Sequence, residues 1–242
     1  MNAEATTKGD ESALSTLVNI VVSPQAAFDS IRERPRWLVA FVVVSVLYAI
    51  GSLLTVPAVV HATTVWYPAL LAKDPNTASM PPDRVAQGLA FALAFVRWQW
   101  VAAPFIVLLA ALFAALVLLA VTAIAKGDAG FGRLFALYMN VAVVSIGLGG
   151  LLTGIIAFGR GAASFSSPTE VQAAIPSLAW LVPGAGPKLL TLLAAVNPFT
   201  IWAFVLLALG TVSVARVSRT AGYIAAAIAS FGGILAAAAF AK

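Results

Sequence analysis

The sequence contains no cysteine, one histidine and few charges, and each shortage removes a class of chemistry. Without cysteine there are no disulfides, no thiolate metal ligands and no thiol nucleophile. With His61 alone, a paired-histidine zinc motif cannot form, and a hydroxyl nucleophile has only one imidazole to serve it. Neither a Walker-type glycine loop nor a G-x-S-x-G elbow occurs. The expectation is a protein without catalytic residues, metal or cofactor, in which His61 is an interfacial polar residue. Charged residues make up 10% of the chain, against about 25% in an average soluble domain. Acidic residues are the scarcer sign, giving a net charge of +5. In so apolar a chain that excess points to lipid headgroups and topology. No arginine-rich, aromatic-interleaved surface supports nucleic-acid binding.

What the chain has in quantity is apolar: 62% of residues are hydrophobic and the mean hydropathy is +1.00. A soluble fold of this length could not hide that surface. Several runs exceed the ~18 residues that mark a membrane-spanning helix. The pattern predicts an all-α polytopic membrane protein, a five-helix transmembrane bundle with N-terminal amphipathic helices and interfacial outer-loop helices. Residues 1–36 form a tail, read as cytosolic and not as a cleavable leader, and residues 37–242 the membrane domain. The expected spans are about Trp37–Val60, Val101–Ala125, Leu134–Phe158, Phe199–Val217 and Ala221–Phe240. Only "RVSRT" separates the last two, which must therefore form an antiparallel hairpin.

In the tail, Leu14, Leu17, Val18 and Val21 follow the i, i+3, i+4, i+7 rule of an amphipathic helix, with Asp10 or Ser12 as its cap. "SPQAAFDSIRERPRW" then supplies Ser23 as an N-cap, Pro24 at the first helical position and Pro35 as a stop. Its apolar stripe is Ala27, Phe28 and Ile31. Two long connections, His61–Val96 and Gly159–Asn197, read as interfacial or re-entrant helices; the alternative is a single pair of longer helices. The second carries helical patterns at Thr169–Leu181 and Pro187–Val196, divided near Pro183 and Pro187.

Orientation follows from the basic residues near the spans. Lys8, Arg32, Arg34, Arg36, Lys126, Arg133, Arg216 and Arg219 fall on the side of the N-terminus. The smaller set Lys73, Arg84, Arg97, Arg160, Lys188 and Lys242 falls on the other. The N-terminus is therefore placed in the cytoplasm and the C-terminus outside.

The spans hold hydroxyls and one amide rather than charges: Tyr48, Asn140, Ser145, Thr153, Thr211, Ser213 and Ser230. Asn140, expensive in lipid, should bond to another helix. Gly150 and Gly154 form a GxxxG pair. Ala221, Ala225, Ala229, Gly233 and Ala237 recur every four residues, a small-residue face for close helix approach. Asn140, Gly150, Gly154, Trp202, Ala225, Ala229 and Gly233 are the residues expected to pack helices.

The proline-marked segment Pro24–Phe28–Pro35, "GFGRLFALYMNVAVVSIG" (130–147) and "NPFTIWAFVLLALG" (197–210), followed by the tight hairpin, resemble the Yip domain family in its bacterial branch. That family consists of five-span membrane proteins named for Ypt-interacting proteins, and the likeness runs from about residue 14 to the end. It implies a non-enzymatic protein of the bacterial inner membrane. Eukaryotic relatives are trafficking factors that contact small GTPases, through a longer N-terminal region than this chain has. Bacterial relatives are accessory or assembly components, in some cases of ABC-type exporters. The expected role is a scaffold or accessory subunit, with other membrane subunits, a second copy of itself and membrane lipids as partners. Pro24, Phe28, Ile31, Arg32, Arg34 and Arg36 are the expected partner contact. The alternative is a transporter or channel subunit with a site near the third span and the outer helices.

Overall fold

A computed structural model describes residues 12–182 and 184–240, with the side chains of Pro187 and of residues 236–240 excepted. Asp10, Lys8, Pro183, Lys242 and the Ala237 side chain, all invoked above, lie outside the described residues. The regular structure is helical throughout. Two short helices, α1 (Ala13–Val22) and α2 (Pro24–Glu33), precede α3 (Leu38–Lys73). Then come α4 (Pro82–Trp98), a 3-10 turn (Gln99–Ala102) and α5 (Ala103–Ile124). The third span is α6 (Phe131–Ala142), a π-helical segment (Val143–Leu148) and α7 (Gly149–Arg160). Short helices α8 (Pro168–Gln172) and α9 (Pro187–Ala195) lead to α10 (Pro198–Ala215) and α11 (Arg219–Phe240).

Four rods are long and apolar enough to cross a membrane: 38–73, 82–124, 131–160 and 198–215. The chain is therefore a polytopic, all-helical membrane protein. The fifth expected span falls on α11, which has 22 residues. α10 and α11 pack antiparallel, and Arg216 makes the reversal in the left-handed region at φ 52°. A Cβ at Gly222 would stand 3.0 Å from the Ala208 carbonyl oxygen and collide with Val212, so these two backbones are in near contact.

The first connection departs from the re-entrant expectation, and the alternative of longer helices prevails. α3 has 36 residues and the 82–124 rod 43, so they extend about 54 and 64 Å at 1.5 Å per residue. The hydrocarbon slab is only about 30 Å thick. A helical hairpin of α3 and α4 therefore continues well past the slab. Pro57 and Pro68 lie inside α3 without ending it, since each removes only one intrahelical bond. The reversal comes at Asp74, whose carboxylate accepts from the backbone N–H of Asn76 at 3.0 Å. The Thr77 hydroxyl donates to the Leu71 carbonyl at 2.7 Å.

The second connection is a folded cap. Ser167 caps α8, and Glu170 accepts from the Ser166 N–H at 2.8 Å. The expected helix 169–181 is broken into α8 and a 3-10 turn at Leu178–Leu181, while α9 matches its expectation. Phe165 and Val171 bury themselves against Ala58, Ala62 and Ala157 of α3 and α7. Arg160 stacks its guanidinium over the Phe165 ring at 4.7 Å.

The bundle thus has two ends. The tail face carries α1, α2 and the turns 125–130 and 216–218. There the Asp128 N–H donates to the Ala215 carbonyl at 3.1 Å, and Arg216 meets Asp128 at 3.3 Å. The hairpin face carries the α3–α4 hairpin and the 161–197 cap.

Candidate functional site

The expected partner segment is part of the bundle itself. α2 begins at Pro24 after Ser23, as expected, but the Ser23 hydroxyl makes no capping bond. Phe28 is 1% exposed and Ile31 fully buried, in one core with Leu134, Leu137, Leu206 and Leu207. The Phe28 ring lies 2.9 Å from where a Cβ at Gly210 would stand, so the absence of a side chain there makes the seat for α2. Gln25 donates to the Ser213 hydroxyl at 3.3 Å. The expectation that Phe28 and Ile31 meet a partner is therefore corrected: their apolar surface is consumed within the chain. Arg34 stays exposed, Pro24 and Arg36 half-buried, and Arg32 pairs with Asp29 at 3.7 Å.

α1 turns most of its apolar stripe outward. Ser12 caps it as expected, accepting from the Ser15 N–H at 3.1 Å. Thr16 and Ile20 point inward, and Thr16 bonds the Ser30 hydroxyl of α2 at 2.9 Å. Leu14, Val18, Val21 and Val22 point outward. An apolar outer face on a helix at the end of a membrane bundle is suited to lipid, with its polar groups used for α1–α2 packing.

Asn140 is buried and donates to the Ala136 carbonyl at 2.8 Å and to the Arg36 carbonyl at 3.0 Å. It ties the entry of α3 to the middle of α6. Gly150 and Gly154 meet Gly51 of α3 within the same chain. A Cβ on Gly154 would stand 2.8 Å from the Gly51 Cα, closer than a real Cβ comes. Gly51 was not singled out in the sequence because it has no glycine partner at GxxxG spacing. On α11, Ala225 is buried and Ala229 packs against the core, but Gly233 is exposed with nothing within 4 Å of its Cβ position. Trp202 is also exposed. Gly233 therefore meets no other helix among the described residues, because the spacing of four drifts off the contact line as α11 turns.

Between α3, the 145–153 stretch, the start of the 82–124 rod's apolar half and α8 lies a cavity of about 550 Å³. From α3 it takes Tyr48, Ser52, Thr55, Val59 and Thr63, spaced as one helix face. Ser145, Ile146, Gly149, Gly150 and Thr153 form the opposite wall. Phe95, Val96, Gln99 and Ile106 close one side, and Val171, Gln172 and Asn197 the end at the cap. The π-helical segment turns Ser145 and Ile146 into this space. Such segments interrupt the regular ladder and recur at functional sites. Thr55 and Thr153 spend their hydroxyl protons on the Ser52 and Gly149 carbonyls, at 2.7 and 2.8 Å. Asn197 caps α10, accepting from the N–H groups of Phe199 and Thr200 at 3.1 and 3.0 Å. Among the described residues, no Asp, Glu, Lys, Arg or His lines the cavity. Tyr48, Ser145 and Thr153 stand out in the sequence as polar groups within the spans. The rest of the α3 stripe does not, although its spacing is readable, because Thr63 lies beyond the point where the span was expected to end.

No family model matches the chain, and no solved structure matches it. It is 29% identical over 214 residues to the membrane protein YknW of Bacillus subtilis (strain 168), an alignment covering 88% of this chain and 84% of that protein. The chain is a multi-pass integral membrane protein and a distant homologue of a bacterial membrane protein.

Proposed function

We propose that the chain is a non-enzymatic accessory subunit of the bacterial inner membrane, of the Yip type, that assembles with a partner membrane complex. The observation that carries the reading is an aromatic row on the hairpin. Phe91, Phe95 and Trp98 are 77, 67 and 68% exposed and occupy one face of α4 at i, i+4, i+7. Trp98 stands at headgroup level beside Arg97, and Phe91 is about 10 Å further along the helix. Large apolar side chains in such a row, beyond the slab, want a protein surface to cover them. An ABC-type exporter is the partner that the family resemblance implies. The proposed docking element is thus the hairpin, with Arg34 and the exposed side of α2 as a second contact on the tail face.

Affinity purification from native membranes in mild detergent, with quantitative mass spectrometry, tests this. Wild-type protein should recover a reproducible set of membrane subunits, and Phe91→Asp should lose them while expressing and migrating as wild type. Recovery of a lone monomer from wild-type membranes would sink the proposal.

A further inference from the structure

We infer that the cavity between α3 and the π-interrupted third span binds an uncharged amphiphile that enters from the bilayer, a neutral glycerolipid with a free hydroxyl such as diacylglycerol. The volume of about 550 Å³ lies within the ~300–1,000 Å³ of small-ligand sites. Its shape is elongated: the α3 residues that line it run from Tyr48 to Thr63, about 22 Å along the helix axis.

The lining selects against charge. Among the described residues the wall has no ionisable side chain but a tyrosine, so a phosphate or ammonium head would be desolvated without a counter-charge. Neutral polarity is instead abundant. The side chains of Ser52, Gln99, Ser145 and Gln172 make no hydrogen bond within the described residues, so their donors and acceptors are available to a ligand. The hydroxyls of Thr55 and Thr153, with their protons committed to backbone carbonyls, present lone pairs. A hydroxyl or ester head group satisfies such a wall, because each can exchange neutral hydrogen bonds with hydroxyls and carboxamides.

One side of the cavity gives a lipid a way in. Of the lining residues, Phe95, Ile106 and Gln172 are themselves exposed. Ile106 lies one turn inside α5, within the apolar span, where the exposed surface of a helix faces lipid. On its Ile106 side the cavity therefore gives onto the bilayer; at the cap, where Gln172 is exposed, it reaches the polar end of the bundle, and the polar wall runs between the two along α3 and the third span. The cavity shares Phe95 with the aromatic row but not Phe91, so Phe91→Asp leaves its wall intact and the two proposals can fail separately.

The test uses the full-length protein purified from membranes and reconstituted in nanodiscs. Native mass spectrometry would compare retention of diacylglycerol with phosphatidic acid carrying the same chains. Diacylglycerol should be retained about tenfold more, the ratio expected for a charge that the wall cannot pair. Ser52→Phe, which fills the groove, should abolish retention. Gln172→Ala, at an exposed position that leaves the fold intact, should weaken it about fivefold through one lost hydrogen bond. A photoactivatable diacylglycerol should crosslink to peptides containing residues 48–63 or 145–153. Equal retention of the two lipids would overturn the proposal. So would preference for the anionic lipid, retention by Gln172→Ala at the wild-type level, or crosslinks confined to the outer faces of the bundle.

Discussion

At the residue scale the fold turns on places where a side chain is missing. Gly51, Gly150 and Gly154 let α3 and α7 approach until their backbones touch, and no hydrophobic force between helices is needed where dispersion contacts are this close. The same chemistry at Gly233 does nothing, because no neighbour stands there. The two glycines therefore make a matched pair for experiment. Gly154→Ala forces α3 and α7 apart and should destabilise the protein by about 1–3 kcal/mol, the usual range for overpacking. Gly233→Ala should leave stability unchanged or slightly raised, since alanine favours helix by up to ~1 kcal/mol. Thermal unfolding in detergent, followed by size-exclusion fluorescence, ranks them. Equal melting of the two variants would mean that the α3–α7 seam is not formed as described. The GxxxG pair was legible in the sequence as a motif. Its partner was not, because Gly51 is a lone glycine in "YAIGSLL" and only the fold brings it opposite.

At the element scale, the two amphipathic helices of the tail were legible as helices but not in their roles. Periodicity shows that one face is apolar. It does not say whether that face meets the chain's own core or something outside. α2 turned inward because Gly210 and Leu137 leave a seat for Phe28, and α1 was left with its valines outward. The long connection was misread for a related reason. A proline and a histidine after an apolar run resemble an exit from the membrane, yet α3 continues for another three turns until Asp74. The role of α2 makes a direct prediction. Phe28→Ala removes a fully enclosed ring and should cost the isolated protein about 3–5 kcal/mol. Its melting midpoint in detergent should fall accordingly, with no partner present. An unchanged midpoint together with lost recovery of partner subunits would return Phe28 to the role of an external contact.

At the scale of the whole molecule, the two-ended bundle sharpens the argument about orientation. The tail face gathers Arg32, Arg34, Arg36, Lys126, Arg133, Arg216 and Arg219 close to the ends of spans. On the hairpin face, Lys73 and Arg84 sit at the tip of the hairpin. Lys73 is 15 residues beyond Ala58, about 22 Å along α3 from the region where the slab ends. Basic residues act on topology chiefly when near the span, so these two weigh little, and Arg97, Arg160 and Lys188 of α9 are what remain close. The bias towards a cytoplasmic tail face is thus larger than a bare count of residues suggests. The absence of cysteine makes the prediction simple to test, because any introduced thiol is the only one. Ala78→Cys, at an exposed position in the turn at the hairpin tip, should react with a membrane-impermeant maleimide in intact spheroplasts. Asp128→Cys, on the tail-face turn, should react only after the membrane is opened. Its ion pair with Arg216 is exposed and contributes at most ~1 kcal/mol, so the substitution should not disturb the fold. The reverse pattern would place the tail face outside and move the docking hairpin into the cytoplasm. Labelling of both thiols in intact spheroplasts would contradict the two-ended bundle itself, since the hairpin tip and the tail-face turns lie on opposite ends of the spanning helices.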